Sequence, residues 1–275
     1  MRFGFVTCVR LGLDCMDEII RVGGTLNLAV TLEDQRSANK SGRVWIDDFC
    51  SENVIPLVKI RNINDVDAVK AIQSHSLDWL FIIGWSQIAG PEILSSTRRG
   101  VIGMHPTLLP VGRGRAAIPW AILRGLAETG VTMFQLDDGV DTGPIIAAEH
   151  LPLGINETAT SLYERVANAH RTLIRLNWAD FMADCVTALP QDEELASVWP
   201  GRSPEDGRIS PEMTVTDVDR LVRATTRPYP GAFWVQEGRI LRVWSGSSQS
   251  AAGLTQFRLS LNDGDYFATE FEWEI

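Results

Sequence analysis

Apolar positions fall into two alternating patterns through the first half of the chain. FGFVT (3–7), LNLAV (26–30), VIPLV (54–58) and WLFIIG (79–84) are short, nearly continuous apolar runs. Strands buried on both faces of a parallel sheet require that pattern. Between the runs, apolar residues recur at helical spacing: Met16, Ile19 and Ile20 share one face, and Val66, Val69 and Ile72 share another, with Asn64 placed as its N-cap. Strand–helix alternation of this kind predicts a Rossmann-like α/β layout. The next stretch is less regular. GVIGMH (100–105) reads as a strand, followed by the Pro- and Gly-rich PTLLPVGRGR and a helix PWAILRGLA with Pro119 in its first turn. A strand VTMFQLDDG, a turn VDTG, a strand PIIAAEHLP and a long helix from Glu157 to about Asp184 complete the layout. Leu162, Val166 and Ala169 mark that helix's apolar face.

From 186 the periodicity lapses. TALPQDEELASVWPGRSPEDG combines three prolines with an acidic run, the composition of a linker. Beyond it come one helix, VTDVDRLVRAT, and the β-like runs FWVQE, RILRVWS, QFRLSL and YFATEFEWEI. The expected organisation is an α/β domain over 1–185, a linker over 186–204 and a small β-rich (OB-like) domain over 205–275. Trp234, Trp244, Tyr266, Phe267 and Trp273 of that last part are candidates for its core or for a homodimer interface.

Composition narrows the function classes. A chain of 275 residues with 45% hydrophobic and 22% charged residues buries an ordinary globular core. No apolar run approaches a membrane span, and the start MRFGFVTCVR lacks a signal-peptide pattern. The expected location is cytoplasmic, away from membranes. Cys8, Cys15, Cys50 and Cys185 form no CxxC pair; they read as small core hydrophobes, with no metal site. Asn156-Glu-Thr fits a glycosylation pattern but without secretion reads as a helix cap. The net charge of −10 repels phosphate backbones and argues against a nucleic-acid partner.

The first strand–helix turn reads TCVRLGLDC, without the GxGxxG of a dinucleotide site. Gly112-Arg-Gly-Arg-Ala-Ala117 follows a Pro-rich loop rather than a strand, so it is no substitute. His105 ends a predicted strand and precedes a proline, a place where an open α/β sheet offers side chains to ligands. Asp141 sits on the glycine-flanked turn Gly139-Val-Asp-Thr-Gly143; it suits either plain turn chemistry or a carboxylate serving a histidine.

Taken together, Gly103-Met-His105-Pro-Thr-Leu-Leu-Pro110 with Arg113-Gly114, and Asp137-Asp-Gly139-Val-Asp141-Thr-Gly143, resemble the formyltransferases that use 10-formyltetrahydrofolate. FIIGWSQIAGPEIL resembles their folate-side strand and loop, and WPGRSPEDGRI and LVRATTRPYPGAF resemble the C-terminal domain of the methionyl-tRNA and sugar enzymes. The resemblance implies a Rossmann-like formyltransferase domain with a smaller β-rich C-terminal domain. It implies formylation of a substrate amine, with His105 stabilising the oxyanion and Asp141 raising its proton affinity and moving the proton. Ser86, Gln87, Ile88 and the Asp137–Gly139 loop match the region that binds the pterin ring. One position departs: the family's first catalytic residue is Asn, and Gly103 stands there. Replacement of the amide by water or a neighbour, extra volume for a bulkier substrate, and a non-catalytic folate-binding relative are the three readings of that change. The acidic charge disfavours methionyl-tRNA as acceptor, leaving a small amine, foremost a nucleotide-linked amino sugar whose phosphates would meet Arg10 and Arg113 or Arg115.

Overall fold

The computed structural model describes residues 1–36, 43–250, 253 and 255–274. In chain order the elements begin β1 (Phe3–Val6), α1 (Arg10–Arg21), β2 (Leu28–Leu32), α2 (Asp47–Glu52), β3 (Leu57–Ile60), α3 (Val66–Ser74), β4 (Trp79–Ile82), α4 (Pro91–Leu94) and β5 (Gly100–His105). They continue with β6 (Arg113–Gly114), α5 (Ala117–Leu123), β7 (Glu128–Gln135), β8 (Ile145–Pro152), α6 (Ala159–Ala183) and β9 (Val198–Trp199). Last come α7 (Val215–Thr225), β10 (Ala232–Gln236), β11 (Arg239–Ser247), β12 (Phe257–Leu261) and β13 (Gly264–Glu274). The chain divides into two compact units, one of residues 1–113, 130–151 and 166–198, the other of residues 114–129, 152–165 and 199–275.

The first unit is built on a sheet of strand order β3-β2-β1-β4-β5-β7-β8. Strands β3, β2, β1, β4 and β5 run parallel, and β7 runs antiparallel to β5, with Gly103 opposite Phe134 and His105 opposite Thr132. The order reverses between β1 and β4, which opens a crevice at their carboxyl ends. Continuous apolar runs fit here because both faces are covered. Val6, Leu80 and Ile82 pack with Ala68 and Ile72 of α3 and Ile93 of α4 on one face. On the other, Phe3, Phe5 and Phe81 meet Trp178 and Phe181 of α6, with the Phe3 and Trp178 rings 4.5 Å apart.

Several local expectations are corrected. Strands β2 and β3 start two and three residues later than the apolar runs, because Asn27 uses its side chain to hold Phe3 N and Val54 takes a left-handed turn (φ 55) and is exposed. Val66 is exposed, and α3 is buried through Ala68 and Ile72. Asn64 does not cap α3; its carboxamide instead bonds Ile88 O and Gly90 N, 2.9 and 2.7 Å away. Of the cysteines, Cys185 is exposed.

The second unit packs α7 on an antiparallel sheet of order β10-β11-β13-β12. Val218, Leu221 and Val222 of the helix meet Leu241, Val243, Leu259, Tyr266 and Ala268. Thr214 caps α7 by accepting Asp217 N. Asn156 does not cap α6; Thr158 Oγ1 accepts Ser161 N at 3.2 Å. Tyr266 is fully buried, whereas Trp234, Trp244, Phe267 and Trp273 are half-buried. Four strands form this sheet among the described residues, one fewer than an OB barrel. Among the described residues no helix is long and apolar enough to cross a membrane, and no cluster of three His, Cys, Asp or Glu side chains is arranged to hold a metal.

Candidate active site

β5 delivers His105 to the carboxyl edge of the parallel sheet, where the side chain is 10% exposed. Its Nε2 lies 2.8 Å from Gly112 O and its Nδ1 3.5 Å from the Asp141 carboxylate. A carbonyl only accepts, so Nε2 carries a hydrogen and Nδ1 is the atom turned to the carboxylate. Asp141 adopts φ 57, a left-handed conformation that Asp tolerates better than most residues. The turn around it is closed by Asp137, whose Oδ1 accepts from Thr142 Oγ1 at 2.6 Å and Gly139 N at 3.1 Å. Gly143 is required: a Cβ there would lie 1.8 Å from Gln135 O.

The segment read as linker carries residues that periodicity could not reveal. Gln191 Nε2 donates to Asp141 O at 2.8 Å and Gly143 O at 2.7 Å, while its Oε1 accepts from Arg113 Nε and Nη2. Glu193 takes the remaining edge of the Arg113 guanidinium at 2.7 and 2.9 Å. That pairing holds the Glu193 carboxyl below its usual range and pushes the Arg113 guanidinium up. Ser197 Oγ accepts Gly112 N, and Ser197 O accepts Arg113 N. Both loops that surround His105 are thus tied to residues 191–197. Arg113 was expected to meet substrate phosphates; its side chain is 6% exposed and fully engaged by Gln191 and Glu193, so it fastens the loop instead. Arg115 is exposed, and its backbone N–H bonds Trp199 O.

Strands β4 and β7 flank β5, and the loops after them hold the other expected contacts. Gln87 braces its loop by accepting Ile63 N at 2.8 Å and donating to Arg61 O at 3.1 Å. Ser86 and Ile88 are exposed, as are Asp137 and Gly139 on the opposite loop. Arg10 opens α1 at the carboxyl end of β1, with an exposed side chain paired to Asp14 at 2.9 Å. Gly103 opens no room for a larger substrate. A Cβ there would come 2.6 Å from Leu136 Cδ2 and 3.3 Å from Phe134 Cε1, so Leu136 fills the space. Thr107 Oγ1, in the loop just after His105, is buried without a hydrogen-bond partner. His170 on α6 is buried, bonds Val166 O through Nδ1 at 2.7 Å, and burial brings its pKa down to about 4.

Residues 34–176 match the model of a family described as formyl transferase, and residues 202–259 match its C-terminal domain. The chain belongs to the formyl transferase family. Members of this family take the formyl group from 10-formyltetrahydrofolate. A methionyl-tRNA formyltransferase of Alkaliphilus oremlandii is 25% identical over 90% of this chain and 80% of its own length. Two solved structures share the fold of this formyltransferase over nearly its whole length. WlaRD, a sugar 3N-formyltransferase crystallised with dTDP and 5-N-formyl-THF, has a TM-score of 0.71, 17% identity, and coverage of 98% of this chain and 97% of that one. An N-formyltransferase from Helicobacter canadensis, complexed with folinic acid and dTDP-3-aminofucose, has a TM-score of 0.70, 15% identity, and coverage of 98% and 99%.

Proposed function

We propose that this formyltransferase transfers a formyl group from 10-formyltetrahydrofolate to the amine of a nucleotide-linked amino sugar. The observation that carries the chemistry is the His105–Asp141 pair at the sheet's carboxyl edge, 3.5 Å apart and clamped from both loops. The residues present fit the folate co-substrate: Ser86 and Ile88 on one loop and Asp137 and Gly139 on the other are exposed, and Gln87, Asn64 and Asp137 brace those loops. When bound, the co-substrate supplies an activated formyl carbon. As the amine nitrogen bonds to that carbon, the formyl oxygen gains negative charge and the amine loses a proton; the charge returns when the carbon–N10 bond breaks and N10 takes up a proton. His105 stabilises that oxygen when its Nε2–H turns to it from Gly112 O, with Nδ1 still facing Asp141. Asp141 supports the imidazole's charge and accepts the proton. With Leu136 against Gly103, the family's amide donor has no counterpart at that position, and the Thr107 hydroxyl is the nearest unengaged donor in sequence.

A net charge of −10 opposes a polynucleotide, whereas Arg10 at the start of α1, a helix with no acidic residue in its first turn, suits one diphosphate. The two sugar N-formyltransferases share the fold end to end. The curated methionyl-tRNA formyltransferases favour a second reading, tRNA as acceptor. Competition between nucleotide-linked amino sugars and methionyl-tRNA for the same formyl donor tests the assignment. Preferential formylation of the sugar is expected; a higher kcat/KM on tRNA would overturn it.

A further inference from the structure

We propose that Trp45 is the platform on which the nucleobase of the acceptor stacks, which makes residues 43–45 the far end of the acceptor site. This deepens, and rests on, the nucleotide-linked acceptor assigned above. The Arg43 side chain is 5% exposed. Its Nη1 donates to Thr31 Oγ1 at 3.1 Å and Cys8 O at 3.5 Å, and its Nη2 to Leu32 O at 3.1 Å. Those acceptors lie at the carboxyl ends of β1 and β2, so the guanidinium is pinned to the same sheet edge as His105. Val44 N adds a bond to Cys8 O. On the other side of Trp45, Ile46 is fully buried. The backbone that carries Trp45 is therefore fixed on both sides of it. The Trp45 ring centroid lies 5.5 Å from the Arg43 guanidinium, yet the residue remains 59% exposed. One face is set over a fixed cation, and the rest is open to solvent. A large aromatic surface so held loses little freedom on stacking with a ring.

Strand spacing selects the kind of acceptor. Neighbouring strands are about 4.8 Å apart, and the order β2-β1-β4-β5 puts β1 two strands, and β2 three, from His105. The strand ends that hold Arg43, the residue beneath the Trp45 ring, accordingly lie roughly 10–14 Å across the sheet from the reacting centre. A single sugar ring, three to four bonds across, spans only roughly 5 Å. A diphosphate and a pentose add about ten bonds and reach a base to that distance. Arg10 follows β1, between the two ends, where the phosphates of such a molecule fall.

The test compares wild type with Trp45→Ala and Trp45→Phe, each first checked for an unchanged urea midpoint. Binding of ADP, GDP, UDP, CDP and dTDP is measured by calorimetry, and kcat/KM is measured for a nucleotide-linked amino sugar and for the same amino sugar 1-phosphate. The expected result is tight binding of one diphosphate, weakened about 10-fold or more in Trp45→Ala and largely restored in Trp45→Phe. The preference for the nucleotide-linked sugar over the sugar phosphate should fall by a similar factor. Equal diphosphate binding by wild type and Trp45→Ala, an unchanged preference, or no diphosphate bound by wild type would overturn the proposal. The two readings fail separately. Diphosphate binding through Trp45 with no amino sugar formylated would sink the acceptor reading and leave the stacking site; turnover indifferent to Trp45 would do the reverse.

Discussion

Asp141 occupies a left-handed backbone position and faces His105 Nδ1 across 3.5 Å. Asn has nearly the same shape and tolerates the same φ, so Asp141→Asn removes the negative charge while leaving the turn intact. Steady-state kinetics should show kcat lower by about 10² to 10⁴-fold, with folate affinity little changed by titration. Wild-type turnover would remove Asp141 from the chemistry. Both residues are legible in the sequence: a histidine closing an apolar run and an aspartate between glycines are local signals. The consequence of Gly103 is not legible. Which side chain fills the space beside a glycine depends on strand register, here Gly103 opposite Phe134 with Leu136 just beyond, and register is a pairing between distant segments. Asn64 misleads for a similar reason. Its position suits a helix cap, but a loop 24 residues away offers better partners.

At the scale of elements, residues 189–197 act as a strap over the loops that surround His105. Gln191 donates to the carbonyls of Asp141 and Gly143 and accepts from Arg113. Gln191→Glu can still accept from Arg113 but places a carboxylate against two carbonyls; Gln191→Ala loses both sets of bonds. Since a small misplacement of a catalytic group costs roughly 10²-fold, both variants should lose about 10-fold or more in kcat. KM should stay within a few-fold and the urea midpoint near that of wild type. Full activity in Gln191→Glu would show that the carbonyl contacts position nothing. The strap escapes a sequence reading because irregular segments announce themselves only by lacking a period, and a linker lacks one too. The regular elements fare better. The longer strands and helices follow the apolar pattern in order, whereas the short α2, α4, β6 and β9 have no counterpart in it, and the starts of β2 and β3 shift because Asn27 and Val54 serve turn geometry rather than the ladder.

For the whole molecule, His170 couples stability to acidity. The unfolded chain binds its proton near pH 6.5, whereas the buried ring of the folded protein does so only near pH 4. Between those values the unfolded state holds more protons, so stability falls as pH falls, by up to about 3 kcal/mol. Urea midpoints at pH 7 and pH 5 should differ in the wild type and converge in His170→Gln; an equal drop in both proteins would place the acid sensitivity elsewhere. Net charge is also a property of the whole chain, and it bears on the central assignment. The decisive measurement incubates the purified protein and 10-formyltetrahydrofolate with a panel of nucleotide-linked 3- and 4-amino sugars, free amino sugars and methionyl-tRNA, following tetrahydrofolate release and product mass, with His105→Ala as control. One nucleotide-linked amino sugar should gain a single formyl group, and the variant should lose that activity. Formylation of tRNA alone, or folate binding with no turnover on any amine, would contradict the account.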